Sequence, residues 1–159
     1  MYSIFYNCSS LTSLDVSSFD TSSVVNMQGM FGQCQSLISL NLSNFKTSKV
    51  TNMEGMFGGS YSLISLNLAN FDISSVNNML GMFFELKSII YLNLDNFQET
   101  SNEINTKNMF MNINSTFLSC FNYEINSKIY SAILTDIINY NNSNNDCQNI
   151  CFSETAKIN

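Results

Sequence analysis

The side chains with the most available chemistry in this chain are five cysteines, Cys8, Cys34, Cys120, Cys147 and Cys151. Thiolates bind soft metals and close disulfides, but their spacings fit no standard zinc pattern, and an odd number leaves at least one thiol unpaired within the chain. A second group is Met27, Met30, Met53, Met56, Met79 and Met82, whose thioethers could line a soft metal site or an adaptable binding surface. Standing in register beside phenylalanines, they read instead as core filler. The carboxylates Asp15, Asp20, Glu54, Asp72, Glu85 and Asp95 are spread along the chain as ordinary surface charges. Aspartates on neighbouring repeats could hold calcium, but Lys46 follows Asp20 at the equivalent position and interrupts the column. General acid–base or nucleophilic work has no histidine to use, and neither G-x-S-x-G nor a phosphate-binding glycine loop is present. The expectation is a non-enzymatic chain with no cofactor and no metal site.

The elements that position these residues come from an internal period. FGQCQSLISLNLSNFKTSKVTNMEGM, from Phe31, is followed by FGGSYSLISLNLANFDISSVNNMLGM from Phe57, a repeat of twenty-six residues. Four columns are apolar in every copy: Leu11, Leu37, Leu63, Ile89; Leu14, Leu40, Leu66, Leu92; Val16, Leu42, Leu68, Leu94; and Phe19, Phe45, Phe71, Phe97. The spacing L-x-x-L-x-L predicts a short strand with one face buried, so Ser13, Asp15, Ser39, Asn41, Ser65, Asn67, Tyr91 and Asn93 are expected on the opposite, solvent face. V-x-x-M-x-x-M-F, as at Val24 to Phe31, predicts one or two helical turns, with an N-cap from the preceding TSS, TSK or ISS. Gly29, Gly55 and Gly81 share a column that allows either a close approach of neighbouring copies or a local break.

A strand, a bend, a helical turn and a return make one coil of an α/β repeat solenoid, stabilised by stacking coil on coil. Phe19, Phe45, Phe71 and Phe97 are expected to form one aromatic ladder, and Phe5, Phe31, Phe57, Phe83 and Phe110 a second. Cys8 and Cys34 share a column with Ser60 and Leu86, which suits a small buried position; a disulfide between adjacent coils is also geometrically conceivable.

Bulk composition bounds the rest. An apolar fraction of 45% in 159 residues can bury one sizeable core. No run approaches the roughly 18 apolar residues of a membrane-spanning helix. The net charge of −6, with six lysines and no arginine, gives no basic patch for nucleic acid. The abundance of Asn, Ile, Phe, Tyr and Lys reads as AT-rich codon usage, which would account for much of the asparagine. MYSIFYNCSS lacks the basic and long apolar regions of a signal peptide. Read literally that implies a cytoplasmic chain. Yet Met1, Ile4, Phe5 and Cys8 align with Met27, Met30, Phe31 and Cys34, so the first residue falls on an interior repeat position, as expected of a truncated or fragmentary chain.

The motif M-F-x-x-C-x-S-L-x-x-L-x-L-S-x-F-x-T-S-x-V-x-N-M, from Met30 to Met53, closely resembles the repeat of BspA-like surface proteins, the group also called DUF285, and its F-x-x-C-x-x-L core is similar to the Treponema-type class of leucine-rich repeats. The resemblance covers residues 1 to about 110. It implies a right-handed leucine-rich-repeat superhelix of about four copies, displayed at the cell surface or outside the cell and adhering to a protein or glycan of a host or another cell. Its expected binding face is Ser13, Asp15, Ser39, Asn41, Ser65, Asn67, Tyr91 and Asn93. A structural spacer or assembly element, or an intracellular repeat scaffold, remains the alternative.

The expected division is a repeat unit over 1–112 and a non-repeat cap or tail over 113–159. Within the tail, SKIYSAILTDIINY, 127–140, offers Ile129, Ile133, Ile137 and Tyr140 at helical spacing, a helix that would shield the last strand edge from pairing with another chain. The opposite edge carries no comparable cap, and self-association through it is expected. Cys147 and Cys151 follow in an asparagine-rich loop; they would pair with each other or with Cys120 in an oxidising compartment and stay free in a reducing one. The N-x-S/T sequences at Asn7, Asn41, Asn114 and Asn141 carry no weight for localisation in so serine- and asparagine-rich a chain.

Overall fold

The computed structural model describes residues 1–97, 103–114, 118–120 and 127–137. Two parallel hydrogen-bond ladders run along the molecule, one on each side of a single apolar interior. The first contains strands β1 (Ser65–Asn67), β2 (Tyr91–Asn93) and β3 (Leu118–Cys120), in the order β1-β2-β3. Ser65 pairs with Tyr91 and Asn67 with Asn93, both twenty-six residues on. The pairing extends backwards through a bridge between Ser39 and Ser65 and through the amides of Ile38, Ile64 and Ile90, which donate to the carbonyls of Thr12, Ile38 and Ile64. Alternation does what the spacing predicts: Leu40, Leu66 and Leu92 are buried, while Ser39 and Ser65 face out.

The second ladder starts at parallel bridges joining Asn26, Asn52, Asn78 and Asn105. Beyond each bridge the V-x-x-M-x-x-M-F segment does not form the expected helical turns. It is a string of tight turns, closed by Met30 N to Met27 O and Gly32 N to Gly29 O, both at 3.1 Å. Every second amide leaves the segment altogether: Met27, Gly29, Phe31 and Gln33 donate to the carbonyls of Asn52, Glu54, Met56 and Gly58 at 2.8–2.9 Å. A helix would direct those amides back into its own chain. Here a left-handed residue recurs every fourth position, Gly29 at φ 59° and Gln33 at φ 59°, and breaks any helical run. The glycine column is therefore conformational. Gly29, Gly55 and Gly81 have φ of 59°, 55° and 59°, and a Cβ on Gly55 would meet nothing within 4 Å.

Between the ladders the columns stack. Phe5, Phe31, Phe57, Phe83 and Phe110 follow one another with ring centroids 5.7, 5.8, 6.0 and 5.4 Å apart. Phe45 lies 6.4 Å from Phe71 with the rings 6° from parallel. Met27, Met30, Met53, Met56, Met79 and Met82 are all fully buried beside them, so the thioethers are packing and not surface. Residues of the first coil, including Phe5, Leu11, Leu14 and Phe19, are only partly buried against this core.

The strand ladder does not end where the repeat pattern fades. β3 falls within the segment expected to be tail, yet Leu118, Ser119 and Cys120 pair with Tyr91, Leu92 and Asn93. The offset is twenty-seven residues, so one inserted residue reverses the polar–apolar alternation: Leu118 stands where Tyr91 does, and Ser119 where Leu92 does. With a serine in the leucine column, the strand lacks the apolar pattern that marks the others. Helix α1 (Ser127–Asp136) forms within the predicted 127–140, with its Ile129 and Ala132, and Ile137 just beyond its end, buried in the common core and Ile133 packed against it. Tyr140, Cys147 and Cys151 lie outside the described residues.

Candidate interaction face

The expected face consists of the outward positions of the strand ladder. Ser13, Asp15, Ser39, Asn41, Ser65 and Asn67 are exposed and Tyr91 half-buried; Asn93 is a correction, being only 9% exposed. The second column has an internal task that the sequence reading missed. Asp15, Asn41, Asn67 and Asn93 each accept, through Oδ1, the amide two residues on, from Ser17, Ser43, Ala69 and Asp95, at 2.9–3.1 Å. This side-chain turn bends the chain out of the strand. The column is a set of turn-makers before it is anything else, and a partner could use only what each side chain has left. The serine column makes no such bond among the described residues.

Several other asparagines also have structural tasks. Asn26, Asn52, Asn78 and Asn105 each accept the amide two residues ahead. Asn44 Nδ2 reaches the carbonyls of Val16, Ser17 and Phe19 in the preceding coil, and Asn70 those of Leu42, Ser43 and Phe45. Asn96 donates to the Ala69 carbonyl in the same manner. Thr21 and Thr47, expected as N-caps, clasp the next coil instead: each hydroxyl accepts the amide and donates to the carbonyl of Lys46 or Asp72. These contacts satisfy backbone groups that the three-residue strands would leave unpaired.

A further column on the face was overlooked. Ile38, Ile64 and Ile90 are 47%, 43% and 52% exposed, stacked directly ahead of the outward serines and tyrosine. The signal was present in the paired apolar residues Leu37-Ile38, Leu63-Ile64 and Ile89-Ile90: two successive residues of a strand cannot both point inward. Close by in the sequence, Lys87 Nζ sits 4.5 Å above the Tyr61 ring and 3.9 Å from Glu85. The hydrogen bond of Tyr61 to Glu85 raises the pKa of the phenol above its ordinary value.

Two of the thiols are described with their surroundings. Cys8 and Cys34 are both free, so the conceivable disulfide between adjacent coils is not formed. Cys34 Sγ donates to the Phe5 carbonyl at 3.1 Å, as Ser60 Oγ does to Phe31 at 2.7 Å. Cysteine and serine interchange at Cys34 and Ser60 because each sets a small donor against the equivalent carbonyl, whereas Leu86 fills the same column with apolar bulk alone. Among the described residues no three His, Cys, Asp or Glu side chains gather as a metal-ligand set, and no helix is long and apolar enough to cross a membrane.

A family model described as "Mycoplasma protein of unknown function, DUF285" matches residues 1–127 of this sequence, a span that takes in both ladders and β3. No curated protein and no solved structure matches it.

Proposed function

We propose that this chain, which belongs to the DUF285 family, is a non-enzymatic interaction module: a right-handed leucine-rich-repeat solenoid, displayed at the cell surface, that adheres to a protein or glycan through its strand face. The observation that carries the reading is the isoleucine column. Thr12 shows that a polar β-branched residue fits this position, yet Ile38, Ile64 and Ile90 occupy it in the three following coils, roughly half exposed. An aligned apolar row flanked by polar columns is what a recognition surface needs and what mere solvation of a strand does not. Burying each isoleucine against a partner would contribute roughly 1 kcal/mol. The serines beside them supply hydroxyls that can donate and accept, suited to peptide or sugar groups alike.

The turn-making role of Asp15, Asn41, Asn67 and Asn93 favours the second reading, a structural spacer or intracellular scaffold whose regular face has no discrete ligand. The two readings separate in one experiment. Beads coated with the chain are assayed for attachment to cultured cells, with wild type compared with Ile38→Ser, Ile64→Ser and Ile90→Ser combined. Adhesion through this face predicts strong attachment of wild type, reduced at least tenfold in the variant at an unchanged melting temperature. Equal attachment of the two would exclude the face.

A further inference from the structure

The turn-side ladder has a polarity: each coil donates its amides to the carbonyls of the next. Met79, Gly81, Phe83 and Glu85 donate to Asn105, Lys107, Met109 and Met111 at 2.8–3.0 Å. With the one-residue insertion counted, the corresponding donors of the following coil are Thr106, Asn108, Phe110 and Asn112. The amide of Phe110 finds a substitute acceptor in the carboxylate of Asp136, the last residue of α1, whose Oδ2 lies 2.9 Å away. A side-chain oxyanion thus stands where the carbonyl of a further coil would. The amides of Thr106 and Asn108 have no acceptor among the described residues.

Those two residues border a cleft of about 460 Å³ between this turn and α1. Lys107 lines it from the turn, and Lys128, Ser131 and Asp136 from the helix. The hydroxyl of Thr135, also in the lining, is directed at the Ser131 carbonyl and offers no donor to the cleft. Lys107 therefore stands beside two amides unmatched among the described residues, with the carboxylate of Asp136 also in the lining. Distant acids matter little at such an open site, because exposed charges more than about 10 Å away are screened at ordinary ionic strength. Amide donors with a nearby ammonium form a ready oxyanion cradle.

We propose that this cleft binds an oxyanion, a carboxylate or phosphate group of a small ligand, whose oxygens accept the Thr106 and Asn108 amides while Lys107 supplies the charge. The site is separate from the strand face and does not depend on it. The test is amide-resolved NMR on the full chain, titrated in parallel with inorganic phosphate and with glucuronate, which carries the carboxylate on a sugar. Saturable shifts of the Thr106 and Asn108 resonances at millimolar ligand support the site. Tighter binding of phosphate identifies a free ion as the source, and tighter binding of glucuronate an acidic saccharide. Lys107→Glu, at an exposed position, should weaken either at least tenfold with no change in melting temperature, and Lys107→Met should fall between. Absence of shifts with both ligands, or shifts that persist unchanged in Lys107→Glu, would overturn the proposal.

Discussion

The hydroxyl of Ser60 donates to the carbonyl oxygen of Phe31 across 2.7 Å, joining two fully buried residues twenty-nine positions apart. One coil earlier Cys34 makes the same bond to Phe5, and burial pushes its thiol up to about 11, so that it stays protonated and able to donate. Cys34→Ser should keep the donor and change stability by less than about 1 kcal/mol. Ser60→Ala should leave the Phe31 carbonyl without its partner and cost about 1–3 kcal/mol. Urea unfolding of both variants checks the pair; equal losses would contradict a hydrogen-bonding role for Cys34 and Ser60.

The aromatic ladder predicts a gradient along the molecule. Phe57 is fully buried between Phe31 at 5.8 Å and Phe83 at 6.0 Å, whereas Phe5 is partly exposed with Phe31 on one side. Phe57→Ala should cost about 3–5 kcal/mol, and Phe5→Ala clearly less. Thermal melts of the two variants, read against wild type, give the comparison, and a Phe5 loss as large as that of Phe57 would remove the basis for it.

Acid should loosen the turns. Hydrogen bonds from Ser17, Ser22 and Ser74 hold the carboxyls of Asp15, Asp20 and Asp72 below the ordinary value of 3.8. A carboxylate whose pKa is lower folded than unfolded contributes stability above the unfolded value, and that contribution is lost as pH falls through the folded one. Melting temperature should therefore be insensitive to these groups at neutral pH and decline below about pH 4. Asparagine already makes this turn at Asn41 and Asn67, so Asp15→Asn, Asp20→Asn and Asp72→Asn combined should keep the turns and flatten the acid decline. An identical decline in the triple variant would assign the acid sensitivity elsewhere.

What could be read from the sequence was whatever repeats without slippage. The leucine, methionine and phenylalanine columns were visible because an interior contact recurs at every coil and tolerates only apolar groups. The turn segments were misread because apolar spacings of three and four fit both a helix and a chain of turns. Only the left-handed residues distinguish the two, and of these Gln33 and Glu85 carry no glycine to announce it. β3 escaped notice because an upstream insertion shifts its register by one and sets Ser119 in the leucine column. At the face, Ser39 and Asn41 stand outward as expected, but the spacing gives no sign that Asn41 also accepts the Ser43 amide at 3.0 Å to make its own turn. Ile38 was passed over because alternation was judged on the leucines alone. Asn44 and Asn70 look like loop polarity in one dimension and become three-pronged clamps only when the preceding coil is in place.

The account rests on residues twenty-six apart being neighbours, and crosslinking measures that directly. Ser39→Cys with Ser65→Cys places thiols on the bridged pair of the strand ladder, within the reach of a disulfide. Ser39→Cys with Glu54→Cys places them closer in sequence but on opposite ladders, since Glu54 receives the Gly29 amide on the turn side. Mild oxidation followed by peptide mapping should show the first crosslink formed in high yield with the fold retained, and the second absent. Formation of the second in place of the first would contradict the stacked arrangement.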